Sequence, residues 1–270
     1  LTVLPDSPYR ATPGEAFDLS TRPTRVDIFE NKAAAKDAAK NDAQDIQDLA
    51  HRLYAEADRK LLIVLQGMDT SGKDGTTEAI FARTPPLNVN VAAFKKPTKQ
   101  ELAHDFLWRV HNVVPGAGQI TVFNRSHYED VLVVKVREFA SAETIEQRYD
   151  QINAFEKLLV ESGTTILKCM LHISHETQGE RLRERLEEPH KRWKFNPGDL
   201  DDRALWPDFM DAYETAVQRT STPYAPWYII PSDSRSTRKA IVTDLVRQTL
   251  SAMKPAYPDL GYRPGDFAIS

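Results

Sequence analysis

Leu61-Leu62-Ile63-Val64-Leu65 runs, through Gln66, into Gly67-Met68-Asp69-Thr70-Ser71-Gly72-Lys73-Asp74-Gly75. Five apolar residues without alternation read as a strand buried on both faces. The first seven residues after Gln66 match the phosphate-loop pattern, two glycines separated by four residues and followed by lysine. The glycines let backbone N–H groups curl around an anion. The helical segment that the loop opens adds the partial positive charge of its N-terminus. Lys73 is then placed to reach a phosphoryl group and neutralise charge as it shifts. Position 74 departs from the pattern, being Asp where Ser or Thr usually contacts Mg²⁺. Asp69 inside the loop and Thr76 just after it are the alternative oxygen donors.

Similar apolar runs recur at Val89–Phe94, Ile120–Phe123, Thr165–Ile173 and Trp227–Ile230. Helical periodicity is read at Lys32–Glu56, Thr76–Ala82, Lys99–His111, Ala142–Glu161, His175–Glu187, Trp206–Thr220 and Ser236–Met253. Strands alternating with helices predict an α/β fold with a parallel sheet covered on both faces. No internal repeat, low-complexity tract or linker divides the chain, so residues 1–270 are expected to form one domain. Residues 1–27 read as an extended arm over the surface and residues 255–270 as an irregular tail.

Composition narrows the class. Hydrophobic residues are 41% and charged residues 27%, as in an ordinary globular protein. The single cysteine, Cys169, excludes an internal disulfide and a cysteine-rich zinc site. It reads as a core residue, and the reading places the protein in the cytoplasm, with no signal peptide seen. No apolar run approaches the roughly 18–20 residues that cross a bilayer, so no membrane partner is expected. A net charge of -4 does not exclude a polyanionic ligand, because binding needs only a local basic groove.

A second cluster of polar residues follows the strand Ile120–Phe123: Asn124-Arg125-Ser126-His127-Tyr128-Glu129-Asp130. Ligands of open α/β sheets bind at the carboxyl ends of the strands. Arg125 is suited to clamp phosphate bidentately. Glu129 and Asp130 follow one turn after the position where an acidic residue usually holds Mg²⁺. His127 either orients substrate or caps the turn. A third, basic stretch spans roughly 181–205, broken by Pro189 and by Asn196-Pro197-Gly198. Kinases of this fold carry a mobile lid at this place in the chain, and its cations exclude water from the donor phosphate. Arg185, Lys191, Arg192 and Lys194 are the candidates. Arg181, Arg183 and Glu184 fit a solvated helix face equally well, whereas Lys191–Lys194 has no acidic partner evident in sequence. His172 and His175 are not promoted to a metal pair, since no third ligand is near.

Together these stretches resemble the polyphosphate kinase type 2 family, from about residue 26 to 254. The resemblance rests on residues 67–75, on Phe123-Asn124-Arg125-Ser126-His127-Tyr128-Glu129-Asp130-Val131 and on Lys191-Arg192-Trp193-Lys194-Phe195-Asn196-Pro197-Gly198-Asp199. Phe106-Leu107-Trp108-Arg109 and Ala225-Pro226-Trp227-Tyr228 add to it. It implies a three-layer α/β/α P-loop kinase fold with a helical lid. It also implies phosphate transfer between polyphosphate and AMP or ADP with Mg²⁺, and self-association into a homo-oligomer. By the resemblance, Asp69 holds metal and activates the acceptor, and Lys73 and Arg125 contact phosphate alongside Gly67, Ser71, Gly72, Asp74 and Gly75. Arg185, Lys191 and Lys194 line the polyphosphate path, and Asn124, Glu129 and Asp130 face the nucleotide. The combination Asn124, Glu129 and Asp74 resembles the branch that accepts AMP as well as ADP.

Three other readings compete. An ATP-dependent nucleoside monophosphate kinase would share the fold but use another donor. A catalytically silent phosphate sensor would bind polyanions without turnover, against which Asp69, Lys73 and Arg125 speak. A nucleic-acid binder would need a basic groove but no phosphate loop, and no nucleic-acid partner is expected.

Overall fold

The computed structural model describes residues 4–263 and 266–267. Five strands form one parallel sheet: β1 (Lys60–Gln66), β2 (Val89–Ala93), β3 (Ile120–Asn124), β4 (Thr164–His172) and β5 (Trp227–Pro231). Their spatial order is β2-β3-β1-β4-β5. β1 lies between β3 and β4, so the chain leaves it in both directions and opens a crevice at its carboxyl end. The register sets Leu65 beside both Asn124 and Cys169, which brings the ends of β1 and β3 level.

Alternate residues of each central strand feed opposite cores. Leu61, Ile63 and Leu65 pack with Leu167, Cys169 and Leu171 on one face. Leu62 and Val64 pack with Ile166 and Met170 on the other. The first face is covered by α1 (Lys32–Glu56), α2 (Lys73–Ile80) and α10 (Arg235–Met253). The second is covered by α6 (Ala142–Glu161) and α9 (Trp206–Thr220). α1 starts where Asn31 accepts the N–H groups of Ala33 and Ala34, both at 2.9 Å. It buries Ala35, Ala39, Ala43, Ile46, Ala50 and Leu53, a stripe at helical spacing.

Four expectations need correction. Lys99–His111 is two single turns, α3 (Lys99–Leu102) and α4 (Trp108–His111). A capping box of Thr98 and Glu101 starts the first. Asp105 then accepts the N–H of Leu107 at 3.0 Å, a local bond that competes with continuous helix. β2 is an edge strand paired only with β3, and Val91 on it is 54% exposed, so it is not buried on both faces. The N-terminal arm is not merely laid over the surface. Ala11, Phe17 and Leu19 are buried, and the chain runs along β5, where Ile229 N–H donates to Tyr9 O at 2.7 Å and Ala11 N–H to Trp227 O at 2.8 Å. That contact covers a sheet edge that would otherwise stay unpaired.

The last correction concerns the basic stretch, which contains α7 (His175–Glu187), a 3-10 turn at Arg192–Lys194 and α8 (Gly198–Ala204). Lys191 has acidic partners, Glu188 at 2.7 Å and Glu184 at 3.6 Å. Arg181 is 6% exposed and so lies off any solvated face. One further short helix, α5 (Val133–Val136), follows a 3-10 turn at His127–Asp130. Residues 255–263 and 266–267 carry neither helix nor strand, and the rest of the expected tail lies outside the described residues.

Candidate active site

The turn from β1 into α2 wraps a cavity of about 550 Å³. Gly67 has φ +146° and Gly72 φ +103°, backbone regions that favour glycine. A Cβ on Gly67 would stand 2.6 Å from the carbonyl oxygen of Leu171, so β4 also needs glycine there. Thr70 Oγ1 and Ser71 Oγ are buried in the loop and have no hydrogen-bond partner. Such orphaned groups call for a ligand, since buried polar atoms are otherwise paired.

Lys73 opens α2 and is 9% exposed. Its Nζ donates to Gly67 O at 2.7 Å and Met68 O at 3.3 Å. Burial, with Arg125 nearby, lowers its pKa to about 8. Thr76 does not face the cavity as a free donor. Its hydroxyl donates to Gly72 O at 2.9 Å and accepts from Arg238 Nε at 3.0 Å. Asp69 and Asp74 are the loop carboxylates that line the cavity, and they accept from Arg125 and Asn124 respectively.

β3 delivers the second group. Arg125 has φ +60°, rare for a residue with a side chain, and its N–H donates to Leu65 O at 3.1 Å. Strain of this kind persists where the surrounding structure over-determines a site. The guanidinium hydrogen-bonds Asp69 and lies 3.7 Å from Glu129. Burial would lower the Arg125 pKa, but Glu129 and Asp69 outweigh it and raise it. Burial pushes the Asp69 carboxyl upward, yet Arg125 and Lys73 hold it below its ordinary value. Glu129 also accepts from Gln66 Nε2 at 3.0 Å. Asn124 Nδ2 donates to Asp74 Oδ1 at 2.5 Å, which joins two positions fifty residues apart.

The basic stretch supplies the opposite wall. Arg185, Lys191 and Lys194 line the cavity with Gly72, Lys73, Asp74, Gly75 and Asn124. Arg192 does not, and its Nε donates to Leu186 O at 3.0 Å. Asp130 is also off the cavity wall. Its carboxylate lies 3.4 Å from Arg148 and 3.9 Å from Arg109. His127 is fully buried, with Nε2 3.3 Å from Glu156 Oε1, so it belongs to the interior.

Sequence reasoning left Arg181 open and did not name Arg235, Arg238 or Asp199 as site residues. Arg181, Arg235 and Arg238 line the cavity although they come from α7 and α10. They carry no motif, and only the packing of α10 on α2 brings two of them in. Asp199 is 6% exposed and pairs with Arg185 at 3.0 Å. Burial, with Asp69 adding to it, pushes the Asp199 pKa up to about 6 against an ordinary value of 3.8. Between these two pH values the native state binds more protons than the unfolded one, so stability falls as pH rises through the window. Unfolding of the metal-free protein followed from pH 4 to pH 6 should show this decline, and Asp199→Asn should remove it. A variant that keeps the full decline would locate its source elsewhere.

Among the described residues, no group of three or more His, Cys, Asp or Glu side chains is arranged to hold a metal. None of their helices is long and apolar enough to cross a membrane.

Comparison with known proteins follows the same lines. The family model described as Polyphosphate kinase 2 (PPK2) matches residues 30–258. The AMP/ADP-polyphosphate phosphotransferase of Meiothermus ruber is 47% identical over 252 residues, covering 93% of this chain and 94% of that protein. The ADP-polyphosphate phosphotransferase of Rhodopseudomonas palustris is 37% identical over 264 residues, covering 93% and 91%. The crystal structure of polyphosphate kinase 2 from Arthrobacter aurescens TC1 superposes with a TM-score of 0.90 at 38% identity, covering 97% of this chain and 92% of that chain. With its phosphate loop, its Asp69–Arg125 pair and its cationic opposite wall, the chain belongs to the polyphosphate kinase 2 family.

Proposed function

We propose that this protein transfers phosphate from inorganic polyphosphate to AMP and ADP, forming ADP and ATP. The observation that carries the reading is a single cavity lined by Lys73, Arg125, Arg185 and Lys194, above a loop with two orphaned hydroxyls. A polyphosphate chain has about one negative charge per internal phosphate and needs a row of cations of this kind. Phosphoryl transfer asks little covalent chemistry of the protein. It needs reactants held in line and charge stabilised as it moves.

Lys73 leaves the carbonyls of its own loop for the transferred phosphoryl group. Arg125, held by Asp69 and Glu129, meets the same group from the β3 side. Arg185, Lys191 and Lys194 act as lid cations over the donor and exclude water. Mg²⁺ fits this donor set, because it is commonly held by one or two carboxylates together with substrate phosphates rather than by an all-protein cage. Asp69 would hold it, and Asp199, whose pKa the charge of Asp69 helps to raise, is a further carboxylate at the site. Bound there, the metal would supply charge neutralisation at the phosphates.

The acceptor preference is proposed to rest on Asn124, Asp74 and Glu129. Asp74 fixes the Asn124 amide and Gln66 fixes Glu129. An additional carboxylate at 129 positions metal or water where AMP lacks a second phosphate. Glu129→Asn is expected to lower activity on AMP more than on ADP. Equal losses on both would remove Glu129 from acceptor choice.

The decisive assay supplies Mg²⁺, polyphosphate and either AMP or ADP, with no ATP. ADP and ATP should appear. Absence of product, with turnover restored by ATP as donor, would instead make the protein an ordinary nucleoside monophosphate kinase.

A further inference from the structure

Two arginines beneath the loop are buried without a directly paired carboxylate: Arg238 feels no acidic neighbour, and Arg181 feels Asp233 and Glu184 only at longer range. Arg238 is 2% exposed and Arg181 6% exposed. Among the described residues neither has a carboxylate within ion-pair distance, whereas Arg125 and Arg185 at the same cavity do. Arg181 donates only to carbonyl oxygens: Thr70 O at 2.9 Å, Ser71 O at 3.5 Å, and Ser232 O and Asp233 O both at 2.8 Å. Arg238 donates to Thr76 Oγ1 at 3.0 Å and Ser232 O at 3.4 Å. Its guanidinium lies against Gly72, where any Cβ would overlap it. Both side chains line the same cavity as Lys73 and Arg125.

A buried charge is strongly unfavourable unless an opposite charge or a metal compensates it. Carbonyl dipoles satisfy the hydrogen bonds here but leave the net charge. Burial lowers the pKa of Arg238 to about 9 and of Arg181 to about 10, and repulsion from neighbouring arginines adds to it, with Asp233 and Glu184 offsetting part of the shift at Arg181. The cavity in front of them is where a polyanion would sit. We propose that Arg181 and Arg238 form a cationic floor under the phosphate loop whose counter-charge is the bound polyphosphate. Arg181 bonds to Thr70 and Ser71 of the loop, and both arginines reach Ser232 in the segment after β5. Occupancy of the site then relieves a cost that the empty protein carries. This inference rests on polyphosphate being the substrate of the site.

The test compares thermal unfolding and kinetics of the wild type, Arg238→Met and Arg238→Lys, with and without inorganic polyphosphate and Mg²⁺. Removing a residue that serves only the fold would lower the melting temperature of the empty protein and leave the polyphosphate-dependent rise unchanged. The proposal expects the reverse. Arg238→Met should melt at or above the wild type when empty, show a smaller rise with polyphosphate, and have a KM for polyphosphate about tenfold higher, as loss of one charge-assisted contact implies. Its KM for ADP should stay unchanged. Arg238→Lys keeps the charge and should retain part of the rise. A destabilised or unfolded Arg238→Met, or one with an undiminished rise, overturns the proposal. Wild-type protein that turns over polyphosphate beside such a variant leaves the functional reading intact. Wild-type protein that neither turns over polyphosphate nor is stabilised by it removes both.

Discussion

Lys73→Ala is expected to reduce turnover of polyphosphate with ADP by about 10²–10³-fold, the usual effect of deleting one preorganised charge-stabilising donor. The Lys73 ammonium is buried at the start of α2, with Gly67 O and Met68 O as its partners. Burial depresses its pKa to about 8, so the empty site holds the proton less firmly than water would. An arriving phosphate raises that pKa again and gives the ammonium a stronger partner than two carbonyls. Truncation removes that interaction but leaves the loop backbone and Arg125 in place. The loss should therefore fall mainly on kcat, with the circular dichroism of the variant matching the wild type. Wild-type turnover in a folded Lys73→Ala protein would exclude Lys73 from the mechanism.

The largest stability effect is expected at Lys168. Lys168 and Glu156 are fully buried and lie 2.6 Å apart. Lys168 Nζ also donates to Tyr128 OH and to Thr220 O, both at 2.8 Å, while Tyr128 OH donates to Glu156 Oε1 at 2.7 Å. Burial would raise the Glu156 pKa, but Lys168 and His127 together outweigh it and hold the carboxyl below its ordinary value. Lys168→Met leaves that carboxylate without its cation and is expected to destabilise the protein by about 3–5 kcal/mol. Urea unfolding near pH 7 measures it. Lys168→Met with Glu156→Leu removes both charges and should recover much of the loss. A single variant losing only about 1 kcal/mol or less, as an exposed pair would, would show that the network does not depend on the cation. The same network anchors His127 and Tyr128, two and three residues beyond Arg125, so the buried pair also supports the strained turn that presents Arg125 and Glu129.

Much of the architecture was legible because it is local. An unbroken apolar run such as 61–65 has to be buried on both faces, and the recurrence of such runs between helical patterns leaves a covered parallel sheet as the arrangement. The glycine loop after β1 was legible for the same reason. Backbone conformation, helix dipole and lysine all lie within nine consecutive residues, so no distant contact is needed to see them. The boundaries of α1, α7 and α9 follow their periodicity. The apparent helix over 99–111 failed because periodicity cannot register a single side chain, Asp105, that diverts a backbone N–H.

What the chain determined by itself, then, is the sheet, the loop between Gly67 and Gly75 and the chemistry of the residues near it, all set by short-range pattern. Only the tertiary structure decided which distant groups share the cavity. The parallel register set Leu65 beside Asn124 and so placed Asp74 against Asn124 and Asp69 against Arg125. Packing of α10 on α2 brought Arg238 beneath Gly72. The bond from Arg185 drew Asp199 to the same site. The physical reason is that electrostatic interactions depend on separation in space and on the water removed between charges, and neither quantity is written in the distance along the chain.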